Sequence, residues 1–101
     1  MKKLTSLIKK IQEEGKTANT EISDVILKIS EEMGEIAAED LKVRNIKPTK
    51  KGENPIQNLK EESCDLLLAS LDLVLRQMEI EEAEDILEIK LNKWLSYKKN
   101  K

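Results

Sequence analysis

Apolar side chains recur at three- and four-residue intervals through most of this chain, the period of an α-helix. Leu4, Leu7, Ile8 and Ile11 mark a short amphipathic helix that Gly15 is placed to stop. Thr20 is suited to cap a second helix, in which Ile22, Val25, Ile26, Ile29, Met33 and Ile36 form a stripe that fades between Leu41 and Asn45. The stretch from Asn45 to Asn58 holds both prolines and a glycine without periodicity and reads as a connecting loop. A third helix resumes around Leu59, and through Leu66, Leu67, Leu68, Leu71, Leu73, Val74 and Leu75 it is apolar in nearly every direction. Such a helix packs on several faces, more than so short a chain could cover alone. A fourth runs from about Glu81 to Tyr97, with Ala83, Ile86, Leu87, Lys90, Trp94 and Tyr97 along one side. The pattern predicts one all-α, four-helix bundle-like domain over residues 1–101, assembled as an oligomer.

Composition narrows the chemistry. Aromatic residues make up 2% and Phe is absent, so the core is aliphatic, a palette suited to packed helices. Charged residues reach 38% yet nearly cancel at a net −2, which argues against a nucleic-acid binder that relies on a basic surface. Cys64 stands alone, so no internal disulfide forms and a small packing residue is expected there. The opening MKKLTSLIKKIQEE has no long apolar run, so neither export nor a membrane span is indicated, and the expected compartment is the cytoplasm. Histidine is absent, which removes Ser-His-Asp catalysis, Cys-His catalysis and His-ligated zinc or iron together.

Two acidic pairs remain. Glu32 and Glu35, then Glu62 and Asp65, each place two carboxylates three residues apart on one side of a helix, with Glu39 in the column of the first pair. Both pairs border apolar stripes. Carboxylates gathered in a partly dry interior repel one another unless a cation intervenes. Oxygen ligands without His or thiolate suit Mg²⁺, with Mn²⁺ as a substitute. A solvated helix with ordinary ion pairs, such as Lys28 with Glu32, generates the same spacing. An Asp72–Arg76 pair at i, i+4 accounts for Asp72 in that way.

The order of these residues is more specific than either pair. EExxE (Glu31, Glu32, Glu35), a gap of 26 residues from Ile36 to Glu61, then ExxD (Glu62, Asp65) on a leucine-rich helix resembles the MazG-like all-α nucleoside triphosphate pyrophosphohydrolases. The resemblance runs from about Thr20 to Lys93. It implies that Glu32, Glu35, Glu62 and Asp65 bind Mg²⁺, and that a nucleoside triphosphate is cleaved to monophosphate and pyrophosphate. It also implies a homodimer or homotetramer of helical bundles, and a role in clearing surplus, damaged or non-standard deoxynucleotides. Glu31, or a ligand glutamate such as Glu35, is in position to accept the proton of the attacking water. The related phosphoribosyl-ATP pyrophosphohydrolases have similar acidic motifs, but their additional features are not evident here.

Lys90 lies inside the apolar stripe of the fourth helix and, with Lys93 in KLNK, is similar to a basic pair of the family, which implies phosphate binding. A lysine whose stem rests on the core while its amine reaches water fits equally. Lys47, Lys50 and Lys51 form a basic loop. Trp94 and Tyr97 are the aromatics available to hold a base, and their spacing also fits core packing. The alternative to an enzyme is a non-catalytic helical interaction module that keeps the fold. A di-iron carboxylate bundle would need Glu-x-x-His ligation and has no histidine to use.

Overall fold

Hydrogen bonds at the ends of the second helix and at the start of the third set the helix boundaries, and several differ from the expected ones. In a computed structural model that describes residues 2–99, the elements are α1 (Lys2–Thr17), α2 (Ile22–Val43), α3 (Pro55–Gln77) and α4 (Ile80–Lys99), with no strand among the described residues. Gly15 does not stop α1, which continues to Thr17. The glycine serves close approach instead, because a Cβ there would lie 3.4 Å from both Arg76 Cγ and Asp72 Oδ1.

Thr20 does not cap α2. Glu21 holds the N-cap position, and its N–H donates to Asp24 Oδ2 at 2.8 Å. Thr20 is taken by α3, since Arg76 donates to its carbonyl oxygen at 2.6 Å and to its Oγ1 at 2.8 Å. The same guanidinium grips Asp72 Oδ1 at 2.8 Å.

At the other end of α2, Asn45 adopts φ 60°, with Ile46 N–H on Leu41 O at 2.9 Å and Asn45 N–H on Lys42 O at 3.1 Å. This is a Schellman ending with asparagine in the left-handed position that glycine usually fills. Gly52, at φ 89°, makes the second tight turn of the loop, closed by Glu53 N–H on Lys50 O at 3.1 Å. The loop is shorter than expected, because Pro55 begins α3 rather than interrupting it. Its missing N–H costs nothing in the first turn, and Asn54 Oδ1 caps Gln57 N–H at 3.2 Å.

α2 and α3 form an antiparallel helical hairpin, and α1 packs on α3. α1 makes no close backbone approach to α2, so a groove stays open between them with α3 as its floor. α4 meets only α3. Gln12 Nε2 donates to Glu79 Oε2 at 3.0 Å and ties α1 to the α3–α4 joint.

The buried apolar side chains among the described residues are Val25, Leu75 and Ala83. Leu67 and Leu68 on α3 are each about half exposed, so this single chain leaves open the faces that α3 was expected to bury. Cys64 is exposed rather than packed. Among the described residues no helix is long and apolar enough to cross a membrane.

Candidate metal centre

The antiparallel hairpin sets the middle of α2 against the early turns of α3 and brings Glu32, Glu35 and Glu62 together. One carboxylate oxygen of each lies within 4.8 Å of the others. Glu32 is buried, Glu62 half-buried and Glu35 exposed, so the cluster opens to solvent on one side.

The protein leaves this cluster short of donors. Glu32 Oε1 accepts from Lys28 Nζ at 3.1 Å, while Glu32 Oε2 and Glu62 Oε2 are buried without a hydrogen-bond partner. A buried carboxylate oxygen requires a proton, a donor or a cation.

Electrostatics divides the carboxylates. The Lys28 hydrogen bond holds Glu32 below the usual range against the opposing effect of burial. Glu62 is pushed up to about 7, first by the neighbouring carboxylate of Glu35, then by burial and by the negative charge of Glu35 and Glu32. Lys28 is raised by its bond to Glu32 and by the charge of Glu31 and Glu32. Without a cation the cluster would keep part of its proton load at neutral pH.

Three oxygen ligands, two of them with orphaned buried atoms, suit Mg²⁺ or Mn²⁺. Adjacent oxygens of an octahedral Mg²⁺ are about 3 Å apart and opposite ones about 4.2 Å, so side chains gathered within 4.8 Å would draw inward around the ion. The residues present fit the ion.

Asp65 is not part of the convergence. Three residues beyond Glu62 it is rotated by roughly 60° around the helix, is exposed, and lines the groove together with Glu32 and Lys28. Glu31 is exposed and lies outside the converging set. Lys90 and Lys93 are exposed on α4 and do not line the groove, so within one chain they are solvated.

Two features were not anticipated from the sequence. One is a second ionic group beside the loop, where Lys42 Nζ bridges Glu53 Oε2 at 2.8 Å and Glu39 Oε1 at 3.6 Å, leaving Glu39 Oε2 buried and unpartnered. The Glu39–Lys42 spacing was visible, but the arrival of Glu53 depends on the turn at Gly52. The other is the groove itself, about 760 Å³, walled by Leu7 and Ile11 of α1, Val25 of α2, and Leu68 and Ala69 of α3. Leu7 and Ile11 carried a periodic signal, which fits a packed core and a groove wall alike.

Comparison with protein families, curated proteins and solved structures finds no match to this chain. The reading of the site therefore rests on its own geometry and on the order of its acidic residues.

Proposed function

We propose that this chain is a Mg²⁺-dependent nucleoside triphosphate pyrophosphohydrolase of MazG-like fold, cleaving a nucleoside or deoxynucleoside triphosphate to the monophosphate and pyrophosphate. The observation that carries the reading is the convergence of Glu32, Glu35 and Glu62, with two buried, orphaned carboxylate oxygens, on the two helices that carry EExxE and ExxD. Divalent ions held there would neutralise the phosphates and supply a water of lowered pKa at neutral pH.

The protein's own groups do the rest. Glu32 is fixed by burial and by Lys28, which gives the site a rigid anchor. Glu62, raised to about 7, would complete the set by giving up its own proton as an ion binds. Asp65, on the groove side, extends the carboxylate surface toward a bound substrate. Glu35 is exposed enough to reach the attacking water, and Glu31 next to Glu32 is the other proton acceptor within the motif.

The proposal includes a homodimer or homotetramer. The radius of gyration is 16.6 Å, whereas a globular domain of this length has about 13 Å. Every described residue from Glu84 to Lys99 is exposed, including Ile86, Leu91, Trp94 and Leu95. So thin a core in one chain would leave little net stability. Packing α4 of one copy on another would bury this face and bring Lys90 and Lys93 toward a neighbouring site, where phosphate contact becomes feasible. Nucleotide-pool cleaning would be the role, in the cytoplasm.

The exposed face of α4 also favours a second reading, an interaction module that keeps the fold without turnover. The experiment is pyrophosphate release from a panel of canonical and modified nucleoside triphosphates, with Mg²⁺, with Mn²⁺ and with chelator. Metal-dependent release that disappears in Glu35→Ala supports the enzyme. Metal binding with no release across the panel supports the module.

A further inference from the structure

Lys28 is the one groove-lining cation that sits directly on the carboxylate cluster. Its ammonium lies 3.1 Å from Glu32 Oε1, yet its side chain is 57% exposed while that of Glu32 is 4% exposed. The two ends of this ion pair therefore differ in freedom. Glu32 is walled in and keeps its place, whereas a flexible four-carbon stem lets the ammonium move several ångströms without any change of backbone.

Of the other cations lining the groove, Arg76 is committed to Asp72 and to both oxygens of Thr20, and Lys10 stands on α1 across the opening. Glu32 Oε2 is already buried and unpartnered, so a divalent ion has one free oxygen to approach and one that Lys28 holds. An ammonium and a divalent ion on the same carboxylate repel each other, which loosens the mobile partner, Lys28, rather than the buried Glu32. Because Lys28 lines the groove beside Glu32 and Asp65, the displaced ammonium stays at the groove mouth. A polyphosphate bound to the ion would offer it oxygen acceptors there.

Building on the proposed pyrophosphohydrolase reading, we infer that Lys28 is an exchangeable internal counter-ion, seated on Glu32 when the centre is empty and transferred to the substrate's phosphates when the centre is loaded. It stabilises the vacant carboxylates, lowers their affinity for metal alone and raises the affinity of the loaded centre for polyphosphate. Metal and substrate are thereby coupled, since substrate provides the new partner that Lys28 needs.

The test compares the wild-type protein with Lys28→Met and Lys28→Arg by two binding measurements and no turnover. Mn²⁺ affinity is read by electron paramagnetic resonance of the free ion, and inorganic tripolyphosphate affinity by calorimetry at saturating Mn²⁺. Lys28→Met is expected to tighten Mn²⁺ binding and to weaken tripolyphosphate binding, each by roughly three- to tenfold, the range of a single partly exposed charge contact. Lys28→Arg should restore tripolyphosphate binding toward the wild-type value. A purely structural lysine would leave both affinities unmoved, or shift them in the same direction, and either result overturns the inference. Wild-type protein that binds no Mn²⁺ would overturn the metal reading along with it. Mn²⁺ binding that is unaltered in Lys28→Met would sink the counter-ion alone.

Discussion

The α2–α3 hairpin and α4 treat exposure in opposite ways. The hairpin takes a charged glutamate, Glu32, nearly out of water, whereas α4 leaves Ile86, Leu91, Trp94 and Leu95 in it. Burying a carboxylate is unfavourable and is tolerated where the group has a use. Exposing an apolar face is unfavourable as well and marks a surface that awaits a partner. The contrast separates a candidate site whose parts come from two consecutive helices from a helix that meets α3 near its start and is exposed from Glu84 to Lys99. Lys98 partly shields Trp94, its ammonium 4.1 Å from the ring centroid.

The largest effect should come from the hairpin. Glu35→Ala or Glu32→Ala is expected to lower metal-dependent pyrophosphate release by more than about 100-fold, beyond the 10- to 100-fold typical of outer-shell changes. The helical circular dichroism should persist, and retained turnover in both variants would remove the centre from the mechanism.

Next in size is α4. Leu91→Glu with Leu95→Glu should convert an oligomer to monomer in sedimentation and make the protein melt lower, by roughly 4–8 °C per kcal/mol lost. A wild-type protein that sediments as a stable folded monomer would dissolve the contrast from that side.

A smaller effect is expected from pH. Glu62 sits at about 7 in the fold against an ordinary 4.5. Between those two values the folded protein holds more protons than the unfolded chain, so stability falls as pH rises through that window. In the presence of chelator, melting temperature should therefore decline from about pH 4.5 to pH 7, and Glu62→Gln should flatten the decline. Added Mg²⁺ should flatten it too, because the ion replaces the proton.

The smallest change is Gly34→Ala. No atom lies within 4 Å of the Cβ that it would carry, so relief of backbone entropy should stabilise α2 by roughly 0.5–1 kcal/mol. Thermal melts would detect this. Destabilisation instead would contradict the open space around Gly34.

The helical stripes and the acidic pairs were legible because both depend only on spacing along a helix. Glu32, Glu35 and Glu62 come together in the structure, an arrangement that spacing within each helix permits and the α2–α3 hairpin completes. Asp65 does not, since its offset around α3 matters only once α2 is in place to define the direction of the cluster. Boundaries were less legible where one residue type serves two purposes. Pro55 breaks a helix interior yet opens a first turn, and Gly15 ends many helices yet here admits the side chain of Arg76. Thr20 would cap α2 in isolation, but the guanidinium of Arg76 outbids it with charge-assisted hydrogen bonds from a distant part of the chain. Lys28 was visible as an ordinary i, i+4 partner of Glu32, and only burial of one end distinguishes it from a surface ion pair.

The Asn45 and Gly52 turns carry a consequence for how such a site comes into being. They close a hairpin that holds Glu32 through Asp65 within 34 consecutive residues. Its contacts are local, so it can form early and quickly, with little of the delay that distant strand pairing imposes. Its loop can also change length at little cost, since each doubling adds only about 0.6 kcal/mol of closure entropy. The carboxylate constellation is therefore insulated from insertions between its two halves, and can persist while the connection that joins them drifts in sequence and size.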